Sequence, residues 1–153
     1  MFMGMNSMKS SYRLSFNRTI GFDSSVGVVL FDTANVCGDS SGSYKVMPFV
    51  DEPFQFLFGQ IDCDANKKFV VSCMMKKTSV DKISAHLIVS SGEVAGIDES
   101  VSAVLISEAD EWVKVTLPLM MSTENGLLSI RVKVFGSSVH SVFIDEKCVV
   151  ENG

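Results

Sequence analysis

The sequence is poor in several residue types on which particular functions depend. Its 153 residues include one tryptophan, two tyrosines, three prolines and two histidines. The 13 lysines and arginines are outnumbered by 18 aspartates and glutamates, which gives a net charge of −5. Proteins that bind nucleic acid neutralise phosphates with cationic side chains, so we exclude a nucleic-acid partner. Membrane insertion is excluded as well, because no apolar run reaches the roughly 18 residues that a membrane-spanning helix needs.

The first ten residues do not have the pattern of a normal secretory signal. Residues 1–10 contain four methionines but no continuous apolar segment of the kind that a signal peptide has. We therefore expect synthesis in a reducing cytoplasm and no disulfide bond. One bridge in a mature extracellular particle stays open as an alternative.

The cysteines do not form a metal-binding pattern. They are Cys37, Cys63, Cys73 and Cys148. No pair has the CxxC spacing of a zinc site, and the two histidines do not cluster with them, so we predict no metal site. Cys73 and Cys148 lie inside apolar runs and are predicted to be small core residues.

What the sequence does contain is a series of short runs in which apolar and polar residues alternate. The clearest of these runs are residues 54–58, 69–75, 85–89, 113–117 and 128–135. Successive side chains of a strand point to opposite faces, so each run predicts a strand with one buried face. No window of a dozen residues has helical periodicity. About nine to eleven such strands predict an all-β fold of two antiparallel sheets packed face to face, most simply a jelly roll.

The length fits one domain. We assign residues 1–10 to an N-terminal arm or an extra leading strand, and residues 11–153 to a single jelly-roll β-sandwich.

An ordered series of motifs over roughly residues 40–150 resembles the galactose-binding-like jelly rolls of carbohydrate-binding modules. The motifs are SGSYKV at 41–46, KKFVVS at 67–72, AHLIV at 85–89, WVKVT at 112–116, GLLSIRVKV at 126–134 and VFIDEKCV at 142–149. The resemblance implies an antiparallel jelly roll. Such modules occur beside secreted glycosidases, and similar jelly rolls occur as accessory parts of phage particles.

The resemblance also suggests a ligand and where it would bind. Sugar sites in this family use exposed aromatic rings on one concave sheet, so Tyr12, Tyr44 and Trp112 are the candidate carbohydrate-binding residues, and a glycan is a candidate partner. The family often carries a structural calcium ion. We predict no cofactor beyond that option.

Acidic residues are the only candidates for catalysis, since glycoside hydrolysis needs a pair of carboxylates. The available groups are Asp62/Asp64, Asp98/Glu99, Glu108/Asp110/Glu111 and Asp145/Glu146. All are predicted to lie at strand ends or in turns, where acids favour turn formation and solubility. No nucleophile motif accompanies them, so we predict no enzyme.

The first third of the chain is unusually rich in phenylalanine and methionine, which are enriched at protein interfaces. The candidate assembly residues are Phe2, Met3, Met5, Met8, Phe16 and Phe22. We therefore predict a non-enzymatic structural protein of a large assembly. We expect it on the surface of a phage or virus particle, as a capsid decoration (cement) or tail-accessory subunit that contacts other subunits, among them copies of itself.

Two other functions stay open. One is a carbohydrate-binding adhesin module, for which the resemblance argues. The other is a small glycan-active enzyme, for which only the acidic groups argue. The sequence specifies neither the partner nor any particular sugar.

Overall fold

The computed structural model describes residues 9–13, 27–49, 54–62, 68–91, 100–118, 120–121, 127–136 and 139–152. In these ranges the chain forms eleven strands and no helix. The strands are β1 (Lys9–Arg13), β2 (Gly27–Asp32), β3 (Ser43–Pro48), β4 (Phe54–Asp62), β5 (Lys68–Lys77), β6 (Ile83–Ser91), β7 (Ser100–Val104), β8 (Val113–Thr116), β9 (Met120–Met121), β10 (Leu127–Gly136) and β11 (Val142–Asn152). For β1, β4 and β9 only the backbone is described.

The strands form two antiparallel sheets. Sheet A has the order β2-β3-β11-β5-β8, with β1 also paired to β11 and β9 also paired to β5. Sheet B has the order β4-β10-β6-β7. The chain passes repeatedly from one sheet to the other, so strands that are consecutive in sequence mostly lie in different sheets. This confirms the predicted all-β, two-sheet jelly-roll sandwich.

The core lies between the sheets and follows the predicted alternation. On β10 the buried residues Leu128, Ile130, Val132 and Val134 alternate with residues of the outer face. On β5 the core residues are Phe69, Val71, Cys73 and Met75. Cys73 and Cys148 are both buried in this core, as predicted. Burying apolar area at about 25 cal/mol per Å² is the main stabilising term of such a sandwich.

One strand differs from the prediction. The sequence shows two apolar runs at residues 139–144 and 148–150, separated by Asp145, Glu146 and Lys147. In the structure β11 is one continuous strand from Val142 to Asn152, and its register with β5 shifts between Ile144 and Cys148. Asp145 and Glu146 therefore lie in a β-bulge inside a strand and not at a strand end or in a turn, which corrects that prediction.

The first described strand crosses the predicted arm boundary after residue 10, because β1 runs from Lys9 to Arg13 along β11. Residues 1–8 lie outside the described residues, so the division into arm and domain stays a prediction. In the described part of the chain, no helix is long and apolar enough to cross a membrane.

Candidate functional site

The outer face of sheet A carries an unusual buried aromatic side chain. Phe143 lies between Val142 and Ile144, which both point into the core, so its ring projects to the opposite side of β11. Phe143 pairs with Lys45 on β3 and with Lys76 on β5. Its side chain is nevertheless only 4% exposed, so neighbouring side chains cover it on this outer face.

Two lysines and a tryptophan complete a row across the sheet. The Lys45 Nζ lies 5.7 Å from the centroid of the Phe143 ring. The Lys76 Nζ lies 4.9 Å from that centroid and 5.2 Å from the centroid of the Trp112 ring. We call Lys45, Phe143, Lys76 and Trp112 the aromatic–lysine row. Each cation–π contact contributes about 0.5–1 kcal/mol at such partly exposed positions. Lys76 contacts both rings and so connects Phe143 to Trp112, the residue before β8.

The connection between β2 and β3 is hydrogen-bonded to the aromatic–lysine row. The Lys76 Nζ donates a hydrogen bond to the Asn35 Oδ1 at 2.8 Å. Asn35 is itself held by Asp32, whose carboxylate accepts from the Asn35 amide nitrogen at 3.1 Å. Hydrogen bonds from the Ala34 backbone N–H and from the Asn35 side chain lower the pKa of Asp32, because they favour the charged form.

A cavity of about 450 Å³ adjoins the row on the same face. Its floor is formed by residues of β5, β8 and β11, among them the outward-facing Ser72, Met74 and Lys114, and its wall by the connection between β2 and β3. The lining residues are Cys37, Gly38, Asp39, Ser40, Ser72, Cys73, Met74, Lys114, Asp145, Lys147 and Val149. Trp112 directly precedes β8 and is two residues from Lys114, which lines the cavity, but the tryptophan is not itself among the lining residues. Its volume lies within the range of small-ligand sites.

The β11 bulge joins the cavity wall to the sheet. The buried Glu146 carboxylate accepts hydrogen bonds from the Ser41 backbone N–H, from the Ser41 Oγ at 2.7 Å and from the Gly42 N–H at 3.3 Å. Gly42 has no room for a side chain, because an added Cβ would lie 2.5 Å from the Phe31 ring and 2.8 Å from the Asp32 carbonyl oxygen. The Glu146 carboxylate therefore anchors the backbone of Ser41 and Gly42 through these hydrogen bonds. A carboxylate bonded in this way is poorly placed to act as a catalytic acid or base.

Asp145, the neighbouring bulge residue, lines the cavity with an incompletely bonded carboxyl group. Its side chain is 7% exposed, and its Oδ1 has no hydrogen-bond partner among the described residues. Burial raises the pKa of Asp145, and a hydrogen bond from the Ser40 side chain opposes that shift. Nearby, the Lys147 Nζ lies 3.6 Å from the Asp39 Oδ1.

The predicted carbohydrate-binding residues are not brought together. Trp112 lies half-buried in the aromatic–lysine row on the outer face of sheet A. Tyr44 points to the other side of β3, where it packs against the core and meets the Phe31 ring edge-on at 5.3 Å. Tyr12 is paired in β1 with Cys148, and only its backbone position is described.

Most of the candidate assembly and catalytic residues lie outside the described residues or at exposed positions. The candidate assembly residues Phe2, Met3, Met5, Met8, Phe16 and Phe22 all lie outside the described residues, and so do Asp64, Asp98 and Glu99. Glu108, Asp110 and Glu111 are exposed. In the described part of the chain, no three His, Cys, Asp or Glu side chains are placed to hold a metal ion.

Comparison with known proteins finds likeness at the level of structure. No family model matches the sequence, and no curated protein matches it. A family 61 carbohydrate-binding module, TmCBM61, solved in complex with β-1,4-galactotriose, superposes with a TM-score of 0.55 over 94% of this chain and 86% of that chain, at 16% identity. The chain is a carbohydrate-binding-module-like β-sandwich. This confirms the resemblance over the series of strands that first suggested it.

Two further solved structures extend the likeness. The module CBM6cm-2 from Cellvibrio mixtus lichenase 5A, in complex with cellotriose, gives a TM-score of 0.53 at 9% identity, over 94% of this chain and 96% of that chain. The enzymatically active domain of the bacteriophage CBA120 tailspike protein 4 gives 0.61 at 14% identity. The match covers 94% of this chain but only 19% of the tailspike chain. At these identities the likeness shows the fold alone.

Proposed function

We propose that this chain is a non-catalytic carbohydrate-binding module whose ligand lies on the outer face of sheet A, against Trp112 and in the adjoining cavity. The observation that carries the proposal is a cavity of about 450 Å³ on the same face of sheet A as the half-buried Trp112, lined by Lys114 two residues further along the chain. Solved structures with the same fold contain β-1,4-galactotriose and cellotriose, which makes an oligosaccharide the ligand class that the fold supports.

The chemistry of the site fits a sugar. A pyranose ring has an apolar face that packs on an aromatic ring and hydroxyl groups at its rim that need hydrogen-bond partners. Trp112 offers the ring, with Met74 as further apolar surface. Ser72, Lys114 and Asp145 bring polar groups to the cavity. No catalytic step is part of the proposal, because the one buried acidic pair in the described residues contains Glu146, which is bonded to Ser41 and Gly42.

The test is calorimetric titration with a panel that includes β-1,4-galactotriose and cellotriose. Trp112→Ala should weaken binding at least tenfold, equal to about 1.4 kcal/mol, because the stacking surface is removed. Phe135→Ala is the matched control: this half-buried aromatic packs against His86 on the outer face of sheet B, with ring centroids 5.2 Å apart. Its affinity should stay at the wild-type value.

Two outcomes would contradict the proposal. One is a wild-type protein that binds no glycan of the panel. The other is a folded Trp112→Ala protein, checked by thermal melting, that binds as tightly as the wild type. Lys114→Met is a second test of the same site by titration, since it removes a hydrogen-bond donor from the cavity and leaves Trp112 in place.

A second role is compatible with glycan binding. We propose that the chain works as an accessory subunit on the surface of a virus particle, assembled in the host cytoplasm together with other subunits. The fold likeness to a phage tailspike domain supports this role, as do the phenylalanines and methionines of the first third of the sequence.

Sedimentation of the native source material with immunodetection of this chain tests the second role. Travel with a large particle is expected. A chain that stays near its own mass of 16.7 kDa would contradict the assembly role and leave the glycan proposal standing.

A further inference from the structure

Two buried cysteines face each other across the centre of sheet A. Cys73 on β5 and Cys148 on β11 are direct partners in the antiparallel register. Both belong to the core cluster, with exposures of 3% and 1%, so both side chains lie on the core side of the sheet. Both are free thiols in this structure.

The hydrogen-bond pattern shows which kind of pair they form. On the other side of β5, the Leu117 N–H donates to the Val71 carbonyl at 2.9 Å, which continues the β5–β8 ladder. Backbone groups of alternate residues in a strand point to the same neighbour, so Val71 and Cys73 bond toward β8, and Ser72 bonds toward β11. Cys73 and Cys148 are therefore a non-hydrogen-bonded pair of the β5–β11 ladder.

That geometry suits a disulfide. Directly opposite residues in a non-hydrogen-bonded pair have Cα atoms about 4.5 Å apart. Disulfides span Cα separations of about 4.4–6.8 Å. The Cys73 Sγ already points toward β11, since it lies 3.6 Å from the carbonyl oxygen of Lys147, the residue before Cys148.

We propose that Cys73 and Cys148 form a cross-strand disulfide when the chain folds in the presence of a disulfide oxidant. The two thiols lose two protons and two electrons as the S–S bond forms. Glutathione disulfide accepts them and is reduced to two molecules of glutathione. The bond would tie β11, directly after its bulge, to the middle of β5.

The bond has to form while the chain folds and not afterwards. Burial raises the pKa of the Cys148 thiol to about 12 and raises that of Cys73 as well, so little thiolate is present in the folded protein. Thiolate is the species that attacks a disulfide. A chain that has already folded in reductant should therefore oxidise slowly.

The experiment refolds the full chain from denaturant, once with glutathione disulfide and once with reductant. Free thiols are then alkylated, and peptides are mapped by mass spectrometry without reduction. The expected product is a peptide pair linked through Cys73 and Cys148. Since this link closes a long loop, the oxidised protein should also melt at a higher temperature than the reduced one.

Single substitutions identify the partners. Cys148→Val should abolish the linked peptide pair. Cys37→Ala is the matched control and should keep it, because Cys37 lies on the β2–β3 connection at the cavity wall. A link from Cys73 or Cys148 to Cys37 or Cys63, or two alkylated core thiols after oxidative refolding, would overturn the proposal. The wild-type peptide map decides the question even if Cys148→Val does not fold.

Discussion

At the scale of single residues, two aspartates beside the same connection are perturbed in opposite directions. Asp145 is buried at the cavity, and the loss of solvent raises its pKa. Asp32 accepts hydrogen bonds from the Ala34 backbone N–H and the Asn35 side chain, which lower its pKa. A raised pKa means that the folded state binds the proton more tightly than the unfolded state, and a lowered pKa means the reverse.

The two aspartates should therefore affect stability with opposite sign. The contribution of Asp145 is most favourable below the ordinary Asp pKa and is lost as the pH rises through its raised value. Asp145→Asn should raise the melting temperature at pH 7, by roughly 1–3 °C for a chain of this size, and change little near pH 3. Asp32→Asn is the matched control and should lower it at pH 7, because the contribution of Asp32 is present above the ordinary pKa.

Thermal melting of the three proteins between pH 3 and pH 8 checks this prediction. Equal melting temperatures of wild type and Asp145→Asn at both ends of the range would show that the Asp145 carboxyl group is not desolvated in solution.

At the scale of strands, the sequence predicted those elements in which alternation is regular. β5, β6 and β10 appear with apolar residues at every second position, and their core faces are as expected. β11 was predicted as two runs because the charges of Asp145, Glu146 and Lys147 interrupt it. The structure keeps one strand, since the bulge lets Glu146 bond to Ser41, a residue 105 positions away. No local pattern carries information about such a partner.

The candidate site shows the same limit. Trp112 was singled out because aromatic rings bind sugars, and the structure places it on the outer face of sheet A, which also carries the cavity. Phe143 and Lys76 were not singled out, because VFI at 142–144 reads as a continuous apolar run. The outward position of Phe143, and its pairing with Lys45 and Lys76, depends on the register of three strands. Register is set by the sheet as a whole and not by the run itself.

At the scale of the whole molecule, the two faces of sheet A have different roles. The inner face supplies much of the core, while the outer face carries the aromatic–lysine row, the cavity and the proposed ligand. β11 is central to both, since it pairs with β3, β5 and β1. The β1 pairing joins the N-terminal part of the chain to the strand that carries the bulge, through Lys9–Arg13 against residues 147–151.

Because residues 1–8 precede β1, a contribution of this segment to assembly can be tested separately from the contribution of β1 to folding. Because β1 begins at Lys9, removal of residues 1–8 leaves every described strand complete, and the melting temperature should stay at the wild-type value. If the methionines and phenylalanine of this segment contact other subunits, the shortened chain should no longer sediment with the particle. Removal of residues 1–13 is the control, since it takes away β1, leaves that edge of β11 unpaired and should lower the melting temperature. Wild-type incorporation of the chain lacking residues 1–8 would show that this segment is not an assembly contact.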